Sequence, residues 1–383
     1  MSYSAKLMRG ATELYVRRKN AVGSIRRTGD NIERCGMNVF KVAVAFAFAV
    51  LSSLSILGQD REGAVWPTNT WRESPPEEQG LSSDLNQKAD DYIRGKVPTT
   101  SSVLVTRHGF IVLEKYYDGE ADSLRELYSV TKSVVSTLVG VALYDKDIEN
   151  VDQMVYVIAP RLFSEDSAKG TRGITVRHLL TQTTGTEPSM SDGIGIADIS
   201  FLFQLPLVYK PGSKFVYSNV NYNILSMIIT ERTGLLSSEY AREHLFTPLG
   251  ISKYDWHASE GYTVGGDRLR MSARDIAKVG YLLLRKGKWE SSTVLSEEWV
   301  DQATQKQVMT DSRYGRNQMG YGYGWWVFEI EGYSVFAGIG HLSQILCVIP
   351  KLDMVVVLTG GLDKTADRLD FVRDVIVPCI QKE

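Results

Sequence analysis

The sequence predicts an α/β fold of the α+β kind. Its mainly antiparallel sheet is built from both ends of the chain and flanked by helices, with a helical region inserted between the two halves. Three observations lead there. Near the start of the body, "SVLVTRHGFIVLEKYY" (102–117) holds two β-rich runs split by His108-Gly109, a hairpin signal. Near the end, "YGWWVFEI", "YSVFAG", "QILCVIP" and "MVVVLTG" read as four consecutive strands. From about residue 145 to 310 the pattern is mainly helical, with loops. Packing such helices against the sheet lets every element bury its apolar side.

The first 58 residues stand apart from the body. Residues 1–41 hold nine Lys/Arg against three Asp/Glu, and "VAVAFAFAVLSSLSILGQ" (42–59) follows with eighteen uncharged residues. That length falls between a signal-peptide core, about 7–15 residues, and a spanning helix, about 20. Two readings stay open. Met37 begins "MNVFKVAVAFAFAVLSSLSILGQ", a whole signal peptide in itself, with small residues Ser53 and Ser55 suited to cleavage. Alternatively, residues 42–58 form an uncleaved membrane anchor. Either way the body is expected to be exported, periplasmic or secreted. Residues 59–80, polar and proline-bearing, are expected to link this leader to a body spanning 81–383.

Within the body, residues 133–143 carry no charge, and Val134, Leu138 and Val141 recur at helical spacing, which predicts a helix buried in the core. "ITVRHLLTQTTG" puts Thr175 before a short helix, and "MSARDIAKVGYLLLRKG" is a helix capped by Ser272 and closed by Gly287. "DKTADRLDFVRDVIVPCI" is the last helix.

The chain has 383 residues, 43% hydrophobic and 23% charged, ordinary values for a folded soluble protein. Net charge is -2, and without the basic residues 1–41 the rest carries about -8, so no basic face is offered to nucleic acid. Three cysteines (Cys35, Cys347, Cys379) make no C-x-x-C pair and five histidines stand singly, which supports neither a disulfide framework nor a metal site. G-x-S-x-G and a Walker loop are missing as well, and no cofactor is implied.

One lysine needs a reason. Lys132 opens the apolar run, and burying an ammonium costs several kcal/mol unless it is paired or sheds its proton. Ser129, three residues earlier, shares its helical face and lies at the positive end of the helix dipole. A lysine desolvated there would lose proton affinity and accept the serine's proton. The alternative is a plain N-cap at Ser129 with Lys132 reaching outward, and an isolated S-x-x-K does not decide between them.

Two further stretches decide. "FVYSNVNYNILSMII" places Tyr217-Ser218-Asn219 before another apolar helix, and "FAGIGHLSQILCVIP" places Gly340-His341 at the mouth of a strand. S-x-x-K, then Y-x-N, then a Lys/His strand motif is the order in serine β-lactamases and penicillin-binding proteins. The chain resembles the class C-like branch of that superfamily. This branch holds class C β-lactamases, D-alanyl-D-alanine carboxypeptidases, family VIII carboxylesterases and 6-aminohexanoate-dimer hydrolases. "ITVRHLLTQTTG", "KPGSKFVYSNVNYNIL", "LFTPLGI", "GGDRLRMSARDIAKVGYLLLRKGKW", "YGYGWWV" and "VIPKLDMVVV" extend the likeness, in the family's order, over about residues 76–383. The wording of "YGYGWWV" and "LRMSARDIAKVG" leans towards the esterase and amide-hydrolase members.

The resemblance implies a β-lactamase/DD-peptidase-like fold and a serine hydrolase acting on a small ester or amide without a cofactor. Carried over, Ser129 would be the acyl-accepting nucleophile, Lys132 its base and Tyr217 a second proton carrier. A phenol, with an ordinary pKa of about 10, would have to become more acidic beside Lys132 to act at neutral pH. Asn219 would hydrogen-bond Lys132 or the substrate. Backbone amides of Ser129 and Gln344 would form the oxyanion hole. His341 stands where lactamases carry lysine.

The third motif departs from the pattern. "GHLSQ" puts Leu342 and Ser343 where lactamases have K-T-G and many esterase-like relatives a glycine pair, which crowds a substrate lying along the strand. An unperturbed histidine is mostly neutral at pH 7 and a poor permanent partner for a carboxylate. This tilts the expectation towards esters or neutral amides. A D-alanyl-D-alanine carboxypeptidase or β-lactamase, and a non-catalytic penicillin-binding relative, are the alternatives. Trp325 and Trp326 offer an apolar wall, though strand alternation turns only one of them to a given face.

Overall fold

The computed structural model describes residues 64–381 apart from 166, 168, 187–202 and 205. Residues 1–58, with the expected signal peptide or anchor, lie outside the described residues. No helix among the described residues is long and apolar enough to cross a membrane.

His108 and Gly109 both take positive φ, 53° and 86°. That turn matches the twist of two strands and lets β2 (Thr100–Arg107) fold back on β3 (Phe110–Tyr116), as the sequence predicts. A short β1 (Arg72–Glu73) lies parallel to β3. The C-terminal strands are β4 (Val308–Tyr314), β5 (Asn317–Tyr321), β6 (Trp326–Ile330), β7 (Tyr333–Gly340), β8 (Gln344–Ile349) and β9 (Met354–Gly360). Together they make one nine-stranded sheet in the order β1-β3-β2-β9-β8-β7-β6-β5-β4. The two chain ends meet where β2 pairs antiparallel with β9.

Five helices matter here: α1 (Leu85–Lys96), α2 (Val130–Tyr144), α3 (Asn219–Thr233), α4 (Ala273–Leu284) and α5 (Thr365–Phe371). Both faces of the central strands are covered, which is why their sequences read as unbroken apolar runs rather than as alternation. Along β8, Leu346 and Val348 join one core with residues of α2 and α4, while Ile345, Cys347 and Ile349 join a second with α1 and α5. Ser272 caps α4 by accepting from Asp275 N at 3.1 Å, and Thr175 caps its short helix in the same way.

Two expectations change. The segment 59–80 is folded from residue 64 onward rather than a linker: Trp71 is buried, Trp66 packs edge-on against Tyr281, and β1 joins the sheet. Polar neighbours hid two tryptophans that need burial. Among the described residues, the region 145–310 is mainly helical but also carries two small hairpin sheets and two strands of a third, whose remaining strand is Arg125–Glu126, and β4 begins at Val308. The β4–β5 hairpin escaped the sequence because most of β4 lies at the sheet's open edge, with polar residues facing water.

Candidate active site

Tyr128 takes φ 46°, unusual for a residue with a side chain, and the chain turns sharply there into α2. Ser129 sits at the cap position but its side chain makes no capping hydrogen bond. Its Oγ accepts instead from Lys132 Nζ at 3.0 Å. Lys132 is 0% exposed, and its Nζ also donates to Asn219 Oδ1 at 2.5 Å and to the Gly266 carbonyl at 2.6 Å. Three oxygens satisfy a buried lysine head in either form: an ammonium donates to all three, and a free amine donates to Asn219 and Gly266 with its lone pair towards the Ser129 hydroxyl. Lys132 thus turns inward, and Ser129 is not a side-chain cap.

Asn219 reaches this lysine because of how α3 begins. Ser218, in extended conformation, caps α3 by accepting from Val220 N at 3.2 Å, which leaves Asn219 as the first helical residue. The buried Gln182 fixes the cap further. It donates to Ser218 O at 3.0 Å and accepts from Ser218 N at 3.1 Å and from Asn221 Nδ2 at 2.5 Å. Gly266 approaches so closely that a Cβ there would lie 2.9 Å from Asn219 Cβ and O. Gly266, in "GGDRLRMS", and Gln182, in "TQTTG", are functional residues that the sequence motifs do not single out. The glycine pair was the available signal for a close approach of backbone.

The Tyr217 ring stacks on Trp326 with centroids 5.8 Å apart, lies 4.8 Å from Lys132 Nζ, and its hydroxyl is hydrogen-bonded with Ser129. Burial pushes the phenol's pKa well above its ordinary value. The neighbouring Tyr321 adds to this, while the Ser129 hydrogen bond only partly opposes it. This direction is opposite to the increase in acidity expected from the sequence: Phe215, Tyr321 and Trp326 pack around the ring, which is half-buried and lines the cleft.

Tyr222 and Tyr321 are raised in the same direction, again chiefly by burial. This gives a prediction with a definite sign. An unfolded tyrosine ionises near pH 10, whereas these phenols stay protonated in the fold. Above about pH 10 the unfolded state therefore binds fewer protons, and stability falls as pH rises. The folded-to-unfolded ratio should drop about tenfold per pH unit for each such phenol. Urea midpoints between pH 9 and 11 would show it, with Tyr321→Phe shallower by one phenol, and a midpoint flat over that range would refute it.

These groups open into a cleft of about 750 Å³. Its base holds Ser129, Tyr217 and Trp326, and its walls are Ser312–Gly315, Ile339–Ser343 and Leu362–Ala366. Trp326 is thus the tryptophan that faces the cleft, while Trp325 is buried against Phe336 at 5.3 Å. The end of β7 passes directly beside the Ser129 amide: a Cβ on Gly340 would lie 2.4 Å from Leu127 O and 3.2 Å from Ser129 N. His341 is exposed on the wall and meets the Tyr128 ring edge-on at 5.3 Å. Gln344 is buried and is not among the residues lining the cleft. Its side chain donates to Leu342 O and Gly360 O and accepts from Gly360 N. β7 ends at Gly340, and His341–Ser343 turn into β8, so Gln344 opens the next strand and Gly340 takes the place beside Ser129.

Of the six residues named from sequence, Ser129, Lys132, Tyr217 and Asn219 come together at one point. His341 flanks them, and Gln344, whose side chain turns away to Leu342 and Gly360, pairs with Gly340 beside Ser129. A serine hydroxyl between an amine and a phenol, with a strand end beside its amide, is equipped for acyl transfer. Among the described residues no group of three His, Cys, Asp or Glu side chains is placed to hold a metal ion.

Known proteins share this framework. The family model described as Beta-lactamase matches residues 87–371. A 6-aminohexanoate-dimer hydrolase of Paenarthrobacter ureafaciens is 26% identical over 305 residues, covering 72% of this chain and 74% of its own. The crystal structure of a family VIII carboxylesterase superposes with a TM-score of 0.64 at 16% identity, over 78% of this chain and 98% of its own. An octameric penicillin-binding protein homologue from Pyrococcus abyssi gives 0.63 at 18% identity, over 75% and 77%. Some other curated relatives are matched over only about half of their own length.

Proposed function

The chain belongs to the beta-lactamase family and is a serine hydrolase; from that premise we propose that Ser129 is acylated by a small ester or amide and then freed by water. One observation carries this reading. A fully buried lysine, fixed by Asn219 and Gly266, holds its Nζ 3.0 Å from the Ser129 hydroxyl. Lys132 in its free-amine form takes the Ser129 proton as Oγ attacks the carbonyl carbon. Tyr217, a neutral phenol, gives its proton to the departing alkoxide or amine and regains one from Lys132. Water repeats the sequence on the acyl-enzyme, releasing the acid and restoring the serine. The Ser129 amide and the β7 end stabilise the oxyanion, one such donor being worth about 3–4 kcal/mol in the transition state. Trp326 and Tyr217 wall the site for an apolar acyl group. The basic flank and uncharged run at 42–59 support export.

The test is acid-quenched intact mass after mixing with a p-nitrophenyl ester, beside turnover of that ester and of a chromogenic cephalosporin. The expected result is one acyl group on the peptide bearing Ser129, with the ester turned over faster per enzyme. Acylation elsewhere would refute the assignment of Ser129, and faster cephalosporin turnover would move the substrate class to β-lactams.

A second reading rests on the lips of the cleft. Arg313 and Lys364 are exposed there, while Asp363 is engaged by Arg368. On a body of net negative charge this cationic mouth favours substrates with a carboxylate away from the scissile bond, as in a carboxypeptidase. Lys364→Glu should lower kcat/KM for a hemisuccinate ester about fivefold at low salt, the scale of an exposed ion pair, and leave the matching acetate ester unchanged. Equal effects on both esters would remove this reading.

A further inference from the structure

The turn that replaces the usual glycines is unusual in its backbone. Leu342 and Ser343 take φ 54° and 60°, consecutive left-handed residues that both carry side chains. Glycine adopts such angles freely, whereas other residues need the surroundings to impose them. The surroundings do so through one side chain. Arg368, in α5, is 0% exposed, and its Nη1 donates to Leu342 O at 3.2 Å and to Ser343 O at 2.8 Å. Its Nη2 pairs with Asp363 Oδ2 at 2.9 Å. The Asp363 carboxylate also accepts from Thr99 N, and the Asp363 carbonyl accepts from Ser343 Oγ at 2.5 Å. A buried guanidinium, paired and hydrogen-bonded to two carbonyls, holds this turn in a shape its own sequence resists.

The turn bears directly on the site, since Gly340 before it lies beside Ser129 N and His341 forms the cleft wall. We propose that Arg368 is a positioning residue that, through the Leu342 and Ser343 carbonyls, holds the end of β7 against the nucleophile. Its catalytic consequence rests on the reading of Ser129 as the nucleophile; its structural content does not. Leu342 and Ser343 are workable in this chain because the clamp supplies what glycine supplies by having no side chain.

Two readouts on the full-length chain test this. Arg368→Lys keeps the charge but loses the planar fork. It should speed hydrogen exchange of the amides of residues 342–345 at least tenfold, and lower kcat for p-nitrophenyl acetate about tenfold with KM within twofold. Adding Leu342→Gly and Ser343→Gly should restore kcat to within threefold, because glycine holds the turn without the clamp. A residue that supports the fold in general would not be rescued from a distant turn. Unchanged exchange at 342–345, or no rescue although all sites still acylate, would overturn the proposal. If Arg368→Lys does not fold, Asp363→Asn leaves the guanidinium unpaired and should speed the same amides severalfold, and an unchanged rate there overturns it equally. Turnover that survives Ser129→Ala would overturn the nucleophile instead, and exchange would still decide the clamp.

Discussion

Lys132→Met should lower kcat for p-nitrophenyl acetate by about 10⁴-fold, the upper range for loss of a general base, and Ser129→Ala by at least as much. The two act as one unit, so the double variant should be no worse than the worse single one. Methionine fills a similar volume but offers no proton acceptor to Ser129 and leaves Asn219 Oδ1 and Gly266 O without their donor. Each orphaned acceptor costs about 1–3 kcal/mol, so melting should shift down while circular dichroism at 25 °C stays native. Lys132→Arg should not rescue. A guanidinium stays charged, and its fork does not fit a site built for three converging acceptors. Turnover by Lys132→Met within tenfold of the parent would show that this lysine serves only the fold.

Gly340→Ala should be the most damaging single change outside Ser129 and Lys132. The added carbon would fall 2.4 Å from Leu127 O, a backbone atom that cannot swing aside, and 3.2 Å from Ser129 N. The end of β7 must retreat from Ser129. A displacement of about 1 Å at a reacting centre costs about 10²-fold in rate. Overpacking adds about 1–3 kcal/mol of destabilisation. The diagnostic is the split between the two: kcat should fall far more than the folded fraction, with KM little changed. A variant that melts lower yet keeps full kcat per folded molecule would mean that β7 contributes no oxyanion donor.

Much of this was legible in the sequence because the signals were local. The His108-Gly109 turn, the caps at Thr175 and Ser272, and a lysine set against an apolar helix each depend on residues close in the chain. What stayed hidden depends on distant ones. Gly266 contributes a backbone carbonyl, which no side-chain pattern reveals. The phenol of Tyr217 is governed by aromatic rings more than 100 residues downstream, and their enclosure reversed the expected direction of its pKa. The Gln344 side chain is tied to Gly360 across the sheet, a partner 16 residues on that no local pattern reveals. Arg368 read as one charge among many on the last helix, and only the fold places it under the His341–Ser343 turn.

The pairing of β2 with β9, Arg107 against Met354 through to Thr100 against Gly360, sets an order of events during synthesis. The first hairpin leaves the ribosome with an open edge and waits through some 250 residues for the strand that closes it. Until then β7 and β8 have no strand joining them to the first hairpin, and nascent chains carry exposed strand that invites aggregation or chaperone capture. Activity must therefore appear only at completion, and a chain broken off before Met354 should show none, however intact its S-x-x-K helix.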